Sequence, residues 1–409
     1  MYDGCTIQSP RGGGLNSNRG LLMPRIFTYS LCLTAVTVLC FTPAFAQDSA
    51  RRSGLNGNIL IKDYSDLTVF PQDATKYKRT VRLNTNGDQY SGTFLSGTKD
   101  TAWGVGFNNT ALALEPGAPQ MGGDGGGEDE PVEPVEPPIA PAPEEPVGQA
   151  DDPLATSQML DLYYAKGNWG VHLGVAMGGG KAEVGENTLE SSAMDINVNF
   201  GMNLGANDVG LAVGLSNAEV VDQVTNSGLS VGAFFRGYKP QSKGVELGYF
   251  GYALFASASM EPEGQDATEM SGLVVQGGAG PVIEKDGSTV SIYGEVGFRQ
   301  GSTKQGDNEA SGSSILVPGV NAAFETPLND WTHFRAGLGY EFAMNSGEAG
   351  DNTISANTGD VSWAAGLSAT WKDIVFDLDL EKSFLTRGPH MVSGAQGNLA
   401  SNISATYSF

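Results

Sequence analysis

Three histidines, His172, His333 and His390, are the side chains best suited to moving a proton near neutral pH. They lie far apart in the chain and lack the close spacing of a metal site or a catalytic dyad, so neither a metal nor a cofactor is expected and the chain does not read as an enzyme. The cysteines, Cys5, Cys32 and Cys40, all precede residue 46. The remaining candidates are charges on the polar face of alternating stretches: Asp161, Asp195, Glu246, Glu295, Glu341, Asp377, Asp379 and Glu381, with Arg236, Arg299 and Arg335. Eight carboxylates against three guanidiniums, if they line open water, favour cations. Asp377, Asp379 and Glu381 share one face of one stretch and repel one another unless a cation lies close, so Arg335 or a bound ion is expected beside them.

These residues sit on a repeated pattern. In residues 194–202 every even position is apolar, and the odd positions are Asp195, Asn197, Asn199 and Gly201. Ile374, Phe376, Leu378 and Leu380 oppose Val375, Asp377 and Asp379; Phe334, Leu338 and Tyr340 oppose His333, Arg335 and Glu341. A period of two with one apolar face is a strand that meets water on one side only. Short turns at 167–168, 205–208, 285–287, 328–330 and 372–373 alternate with longer Gly, Asp and Asn-rich stretches near 178–190, 257–270, 300–311, 344–357 and 386–398, which are expected as loops. Trp169, Trp331 and Trp371 each stand beside a short turn, as an interfacial aromatic girdle requires.

About thirteen such strands follow residue 158. Three more are expected before the acidic stretch, at 78–83, 90–96 and 101–109, which gives fourteen to sixteen. The fold class is therefore all-β, a single antiparallel transmembrane barrel. Short turns on one side and long loops on the other suit a barrel in an outer membrane better than a soluble sandwich.

Residues 1–46 read as an N-terminal extension and a secretory signal peptide. The expected start is Met23, an apolar run covers 31–41, and Ala44-Phe45-Ala46 forms the cleavage site. Cleavage there removes every cysteine and leaves 20 basic and 45 acidic residues, a net charge of −25 that repels nucleic acid. Within 114–157, expected as a disordered extracellular loop, residues 114–153 hold ten prolines and eleven acids with no Lys or Arg. Residues 78–113 are assigned to the first strands and 158–409 to the remainder. Residues 47–77 carry Asn58-Ile-Leu-Ile-Lys-Asp-Tyr-Ser-Asp-Leu-Thr-Val-Phe-Pro71, too apolar for a free tail, and are expected as a periplasmic or lumenal plug.

In the last residues Ile403, Ala405, Tyr407 and Phe409 share one face and the chain stops on the aromatic. This resembles the C-terminal strand of bacterial outer-membrane β-barrels, which implies recognition by the barrel-assembly machinery and a surrounding of lipid and lipopolysaccharide. Pro71 and the apolar stretch before it resemble the N-terminal plug of the long-chain fatty-acid transporter family; Phe70 and Gln72 depart from that family's Asn-Pro-Ala motif. The expected function is a channel or transporter for a small solute or ion, with an electronegative lumen. The alternatives are a hydrophobic-solute transporter and an autotransporter-like arrangement with 47–113 as passenger and 158–409 as translocator. The outer face of nearly every strand is apolar enough to accommodate a homo-oligomer.

Overall fold

The computed structural model describes residues 49–85, 90–108, 158–184, 187–220, 224–262, 264, 266–350, 352–380 and 399–409. The signal peptide, the acidic stretch 114–157, Glu381, His390 and the stretch at 386–398 lie outside these residues. Sixteen strands form one closed antiparallel barrel. In chain order they are β1 Thr80–Thr85, β2 Tyr90–Gly97, β3 Thr101–Asn108, β4 Gln158–Lys166, β5 Trp169–Val184, β6 Asn187–Leu204, β7 Asn207–Val220 and β8 Val224–Ser242. The second half comprises β9 Val245–Pro262, β10 Thr268–Lys285, β11 Ser288–Gln305, β12 Asn308–Asn329, β13 Thr332–Ala349, β14 Asn352–Trp371, β15 Ile374–Leu380 and β16 Ala400–Ser408. Each strand pairs with its sequence neighbours, and β16 closes the wall on β1 with Thr80 opposite Ser408 and Thr85 opposite Ile403.

Alternation decides what each face meets. Leu211, Val213 and Leu215, or Trp103, Val105 and Phe107, stand outward and exposed, as do Trp331 and Trp371 beside their short turns. An outward apolar band on a closed sheet satisfies both demands of a bilayer, with no unpaired backbone edge and no charge against hydrocarbon. The short turns are made by residues that tolerate positive φ, including Gly167 at 60°, Gly205 at 69° and Lys372 at 56°.

The stretches expected as loops at 178–190, 257–270, 300–311 and 344–357 are largely strand, and β12 extends to 22 residues. Beyond the lipid the outward positions no longer need to be apolar, so the alternation fades while backbone pairing continues. The pairs Ser311 with Glu348 and Gly312 with Gly347 show ladders built from polar and small residues.

A barrel of sixteen strands is too wide for its own side chains to fill. Here residues 49–77 lie inside it. They form a short helix α1, Ala50–Gly54, capped by the Ser49 side chain on the Arg52 amide, and two 3-10 turns. The first turn, Tyr64–Thr68, starts from Asp63 in a reciprocal box with Asp66, and the second, Pro71–Thr75, has proline at its first position. Leu55, Leu60 and Leu67 are fully buried, each contributing roughly 1.5–3 kcal/mol.

Inward glycines let this segment approach the wall. A Cβ on Gly170 of β5 would lie 2.4 Å from the Gln72 backbone nitrogen, one on Gly210 of β7 2.4 Å from the Val69 carbonyl oxygen, and one on Gly337 of β13 2.5 Å from the Leu55 carbonyl carbon. These contacts are with backbone, which cannot turn aside. We therefore expect Gly337→Val to leave the barrel's circular dichroism and heat-dependent gel mobility intact while exposing residues 49–77 to added protease. Equal protection in the variant and the parent would refute the close seat.

The candidate functional site at the plugged lumen

The plug is held by charge. Arg236 on β8, with no exposed surface, donates from Nη1 to Asp66 Oδ2 at 2.7 Å and to the Ile59 carbonyl at 3.1 Å, and its Nη2 lies 3.3 Å from Asp208 Oδ2. Asp73 lies 3.9 Å from the same guanidinium, and the Phe70 ring lies under it at 4.6 Å. Arg52 of α1 takes the other oxygen of Asp66, and Lys62 reaches Asp208 at 2.8 Å. Farther round the barrel, Arg51 pairs with Glu325 on β12 at 2.6 Å, Glu325 with Arg335 on β13 at 3.1 Å, and Arg335 with Asp377 on β15 at 2.8 Å. The chain of contacts thus runs from β7 and β8 through the plug to β12, β13 and β15. A charge buried this far from water is tolerable only when paired and hydrogen-bonded.

Neutral contacts complete the ring of anchors. Asn58 donates to Asn321 at 2.7 Å, Asn56 to Ser362 at 2.8 Å, Gln72 to Asn203 at 3.3 Å, and the Tyr238 hydroxyl to the Leu60 carbonyl at 2.8 Å. Val69 and Phe70 pack on the inward residues Phe234, Leu254 and Val274, and Leu60 on Phe250, Val282 and Tyr293. Apart from Arg236, the inner face of β8 to β11 beside the plug is thus lined mainly by these apolar side chains.

Electrostatics within the plug follow from this packing. Burial pushes the Asp63 carboxyl up, but Arg82, Arg51, Arg52 and the Ser49 hydroxyl outweigh it and hold the group well below the usual carboxylate range. Burial wins at Asp73, whose carboxyl is raised, with the Asp208 charge adding to the shift and Lys76 and Arg236 opposing it. Burial likewise pushes the Tyr64 hydroxyl up to about 12.

The charges named from sequence fall into distinct places. Arg236, Arg335 and Asp377 belong to the plug network, and Arg335 is indeed the cation beside Asp377. Asp379 accepts from Ser401 at 2.8 Å. Asp161 and His172 are buried together: the ring Nε2 lies 2.7 Å from Asp161 Oδ1 and Nδ1 lies 2.9 Å from the Asn199 amide nitrogen, with Tyr163 stacked on the ring at 4.7 Å. This pairing was not legible in the sequence, because His172 and Asp161 meet only through the β4–β5 register, in which Tyr163 faces His172. Glu246 stands one residue from the short-turn end of β9. Farther from the short turns, Glu295 accepts from Gln276 at 2.8 Å, and Arg299 approaches the half-exposed Glu341 at 3.9 Å. Asp195 is buried on β6.

Sequence reasoning missed Arg82, Asp208 and Glu325 on the wall and Arg51, Arg52, Asp63, Asp66 and Asp73 in the plug. Counting only wall charges gave a strongly acidic lumen. With the plug in place the layer it occupies is charge-paired, and Asp195, Glu295 and Glu341 lie beyond it. Among the described residues no group of three or more His, Cys, Asp or Glu is placed to hold a metal ion.

No known family profile matches this chain, and no curated protein does. Solved structures with a similar fold include the translocator domain of the autotransporter NalP from Neisseria meningitidis, at 14% identity and a TM-score of 0.30 over 59% of this chain and 88% of that one. The FrpB iron transporter of Neisseria meningitidis matches at 10% identity and a TM-score of 0.36, over 76% of this chain and 62% of that one. OmpT of Vibrio cholerae matches at 7% identity and a TM-score of 0.28, over 81% and 96%. At such identities and TM-scores these likenesses carry no further argument. The closed barrel of sixteen antiparallel strands with its outward apolar band is in itself the fold of an outer-membrane β-barrel.

Arg236→Ala leaves Asp66 to Arg52 alone and Asp208 to Lys62 alone in a buried layer, and we expect it to weaken plug docking by up to about 3–5 kcal/mol, seen as protease cleavage within 49–77 of the folded barrel. Arg236→Lys should not restore docking, since one ammonium cannot replace a guanidinium shared among Asp66, Asp208 and the Ile59 carbonyl.

The pH dependence has a defined sign. Asp63, with its depressed pKa, contributes stability that is full above the ordinary carboxylate value of about 3.9 and is lost as pH falls through the folded value. Asp73, with its raised pKa, acts in the opposite sense and gives relief on protonation. The urea midpoint of plug exposure should therefore hold or rise slightly from pH 7 to about 4 and fall below that. A steady decline beginning at pH 6 would contradict it.

Proposed function

We propose that this chain is an outer-membrane transporter whose own residues 49–77 close the lumen at the short-turn end and must yield for solute to cross. One observation carries this reading: the segment is anchored to opposite sides of the barrel, by Gln72 to Asn203 on β6 and by Asn56 to Ser362 on β14, with Arg236 on β8 and Glu325 on β12 holding it between them. A segment so placed obstructs passive diffusion. The buried polar contacts that hold it are also the kind that a small change of charge can release.

Beyond the plug the inward carboxylates Asp195, Glu295 and Glu341 outnumber Arg299, which supports a preference for cations once the path is open. The apolar inner wall with Phe234, Leu254 and Val274 supports a second reading, a transporter of solutes with an apolar body. A surface-display role with 47–113 as a free passenger would need residues 80–108 outside the wall, whereas β1, β2 and β3 complete the barrel between β16 and β4. The outward Ile403, Tyr407 and Phe409 support recognition by the assembly machinery. His172 sits enclosed between Asp161 and Asn199, and we expect no hydrolytic activity.

The test is single-channel conductance of residues 47–409 inserted in a planar bilayer between unequal salt solutions. Expected are a silent or rarely open parent and an Arg236→Ala variant that opens in steps with a cation-preferring reversal potential. Large steady conductance in the parent would refute the plugged reading and return the chain to the open porins.

A further inference from the structure

One guanidinium in the plug layer departs from the pairing seen elsewhere in it. Arg51, Arg52, Arg236 and Arg335 each have a carboxylate oxygen within 3.3 Å. Arg82 of β1 is only 6% exposed, yet it forms no ion pair among the described residues. Its side chain makes one hydrogen bond there, from Nη2 to Ser404 Oγ on β16 at 3.3 Å, and its Nε, shut off from solvent, has no partner. The Tyr64 ring of the plug lies 5.0 Å from the guanidinium.

The acids nearby are already engaged. Asp63 feels the Arg82 charge, but its Oδ1 accepts from Arg51 and its Oδ2 from the Ser49 and Ser65 hydroxyls. Asp377, whose Oδ2 is 3.5 Å from Ser404 Oγ, is held by Arg335. A guanidinium taken out of water without a counter-charge in contact is among the costliest groups in a protein interior.

A cavity stands where the missing group belongs. It lies between Ser49, Tyr64 and Ser65 of the plug and Arg82, Ser91 and Thr93 of the wall, and holds about 260 Å³ of space outside the atoms. The β1–β2 register, with Arg82 opposite Thr93 and Asn84 opposite Ser91, turns these polar side chains toward it. No carboxylate is among its described lining residues. Because Ser49 and Ser65 give their hydroxyl protons to Asp63, the groups that offer protons to the cavity are Arg82 and the hydroxyls of Tyr64, Ser91 and Thr93. One cation ringed by hydroxyl donors suits an anion and repels a metal ion.

We propose that this cavity binds one small monovalent anion, a halide or the carboxylate group of a small acid, which completes the charge pairing of the layer and fastens the plug to β1 and β2. Among the described residues no ion pair joins the plug to those two strands, so the anion supplies the link, accepting from Arg82 on the wall and Tyr64 on the plug. Binding only to the docked arrangement, it stabilises docking by mass action.

The test uses refolded residues 47–409 with sodium bromide and sodium formate as probes. Crystals soaked in bromide are expected to show an anomalous peak within hydrogen-bond distance of Arg82 Nε. Loss of that peak on transfer to formate would support a site that takes carboxylates, and its persistence a site for halides. In solution at pH 7 and constant ionic strength, the urea midpoint of protease cleavage within 49–77 should rise saturably with the anion that occupies the site. Arg82→Gln should abolish the rise. Ser91→Ala, which keeps every charge and serves if Arg82→Gln does not fold, should shift the half-saturating concentration upward by roughly tenfold. Density for water alone beside Arg82 in both soaks would overturn the proposal. So would an equal rise in the parent and the variants, which marks a general salt effect, or a peak in the crystal without a saturable rise in solution, which marks an adventitious ion only. None of these outcomes depends on whether the plug gates transport.

Discussion

The guanidinium of Arg236 is the interaction on which the interior depends. It arises from a β8 strand whose neighbouring inward positions are the aromatics Phe234 and Tyr238, and it meets acids from β7 and from two turns of the inner segment. Without the plug, Arg236 faces lumen water with Asp208 as its strand-register partner. With the plug, the same charge is desolvated and is affordable only because Asp66, Asp73 and the Ile59 carbonyl converge on it. The barrel thereby specifies where its N-terminal segment must lie, and the segment neutralises charges that the wall alone leaves in excess.

This explains two features of composition that otherwise look unrelated. Glycine is abundant, at 57 residues, and part of that supply forms inward seats at Gly170, Gly210 and Gly337 where a second backbone rests on the sheet. Apolar residues also point inward on β8 to β11, against the rule that a wide barrel keeps a polar lumen. They do so where the lumen is filled by protein, so that stretch of wall obeys the rules of a soluble core, with Phe234, Leu254 and Val274 closing on Val69 and Phe70.

The interior and the exterior also differ in how they set height. Inside, the plug reaches nearly the whole circumference at the short-turn end. Outside, the long strands β5 to β14 carry polar pairing well past the apolar band.

The sequence by itself determined the fold class, the strand faces and the turn positions, because each rests on a local period of two that lipid on one side and water on the other impose directly. It also indicated an apolar segment before the first strand, and it asked for either Arg335 or a bound ion beside Asp377, Asp379 and Glu381. Only the tertiary structure decided what the lumen contains. A strand's polar face is the same in sequence whether it meets water, a plug or a neighbour's side chain, so Arg236 could be counted but its partners Asp66 and Asp208 could not be assigned. The union of Asp161, His172 and Asn199 depended on register across three strands. The inward Phe234 and Leu254 became intelligible only once a second apolar surface lay against them. What the wall presents is written locally; what fills it is decided by contacts between residues more than a hundred positions apart.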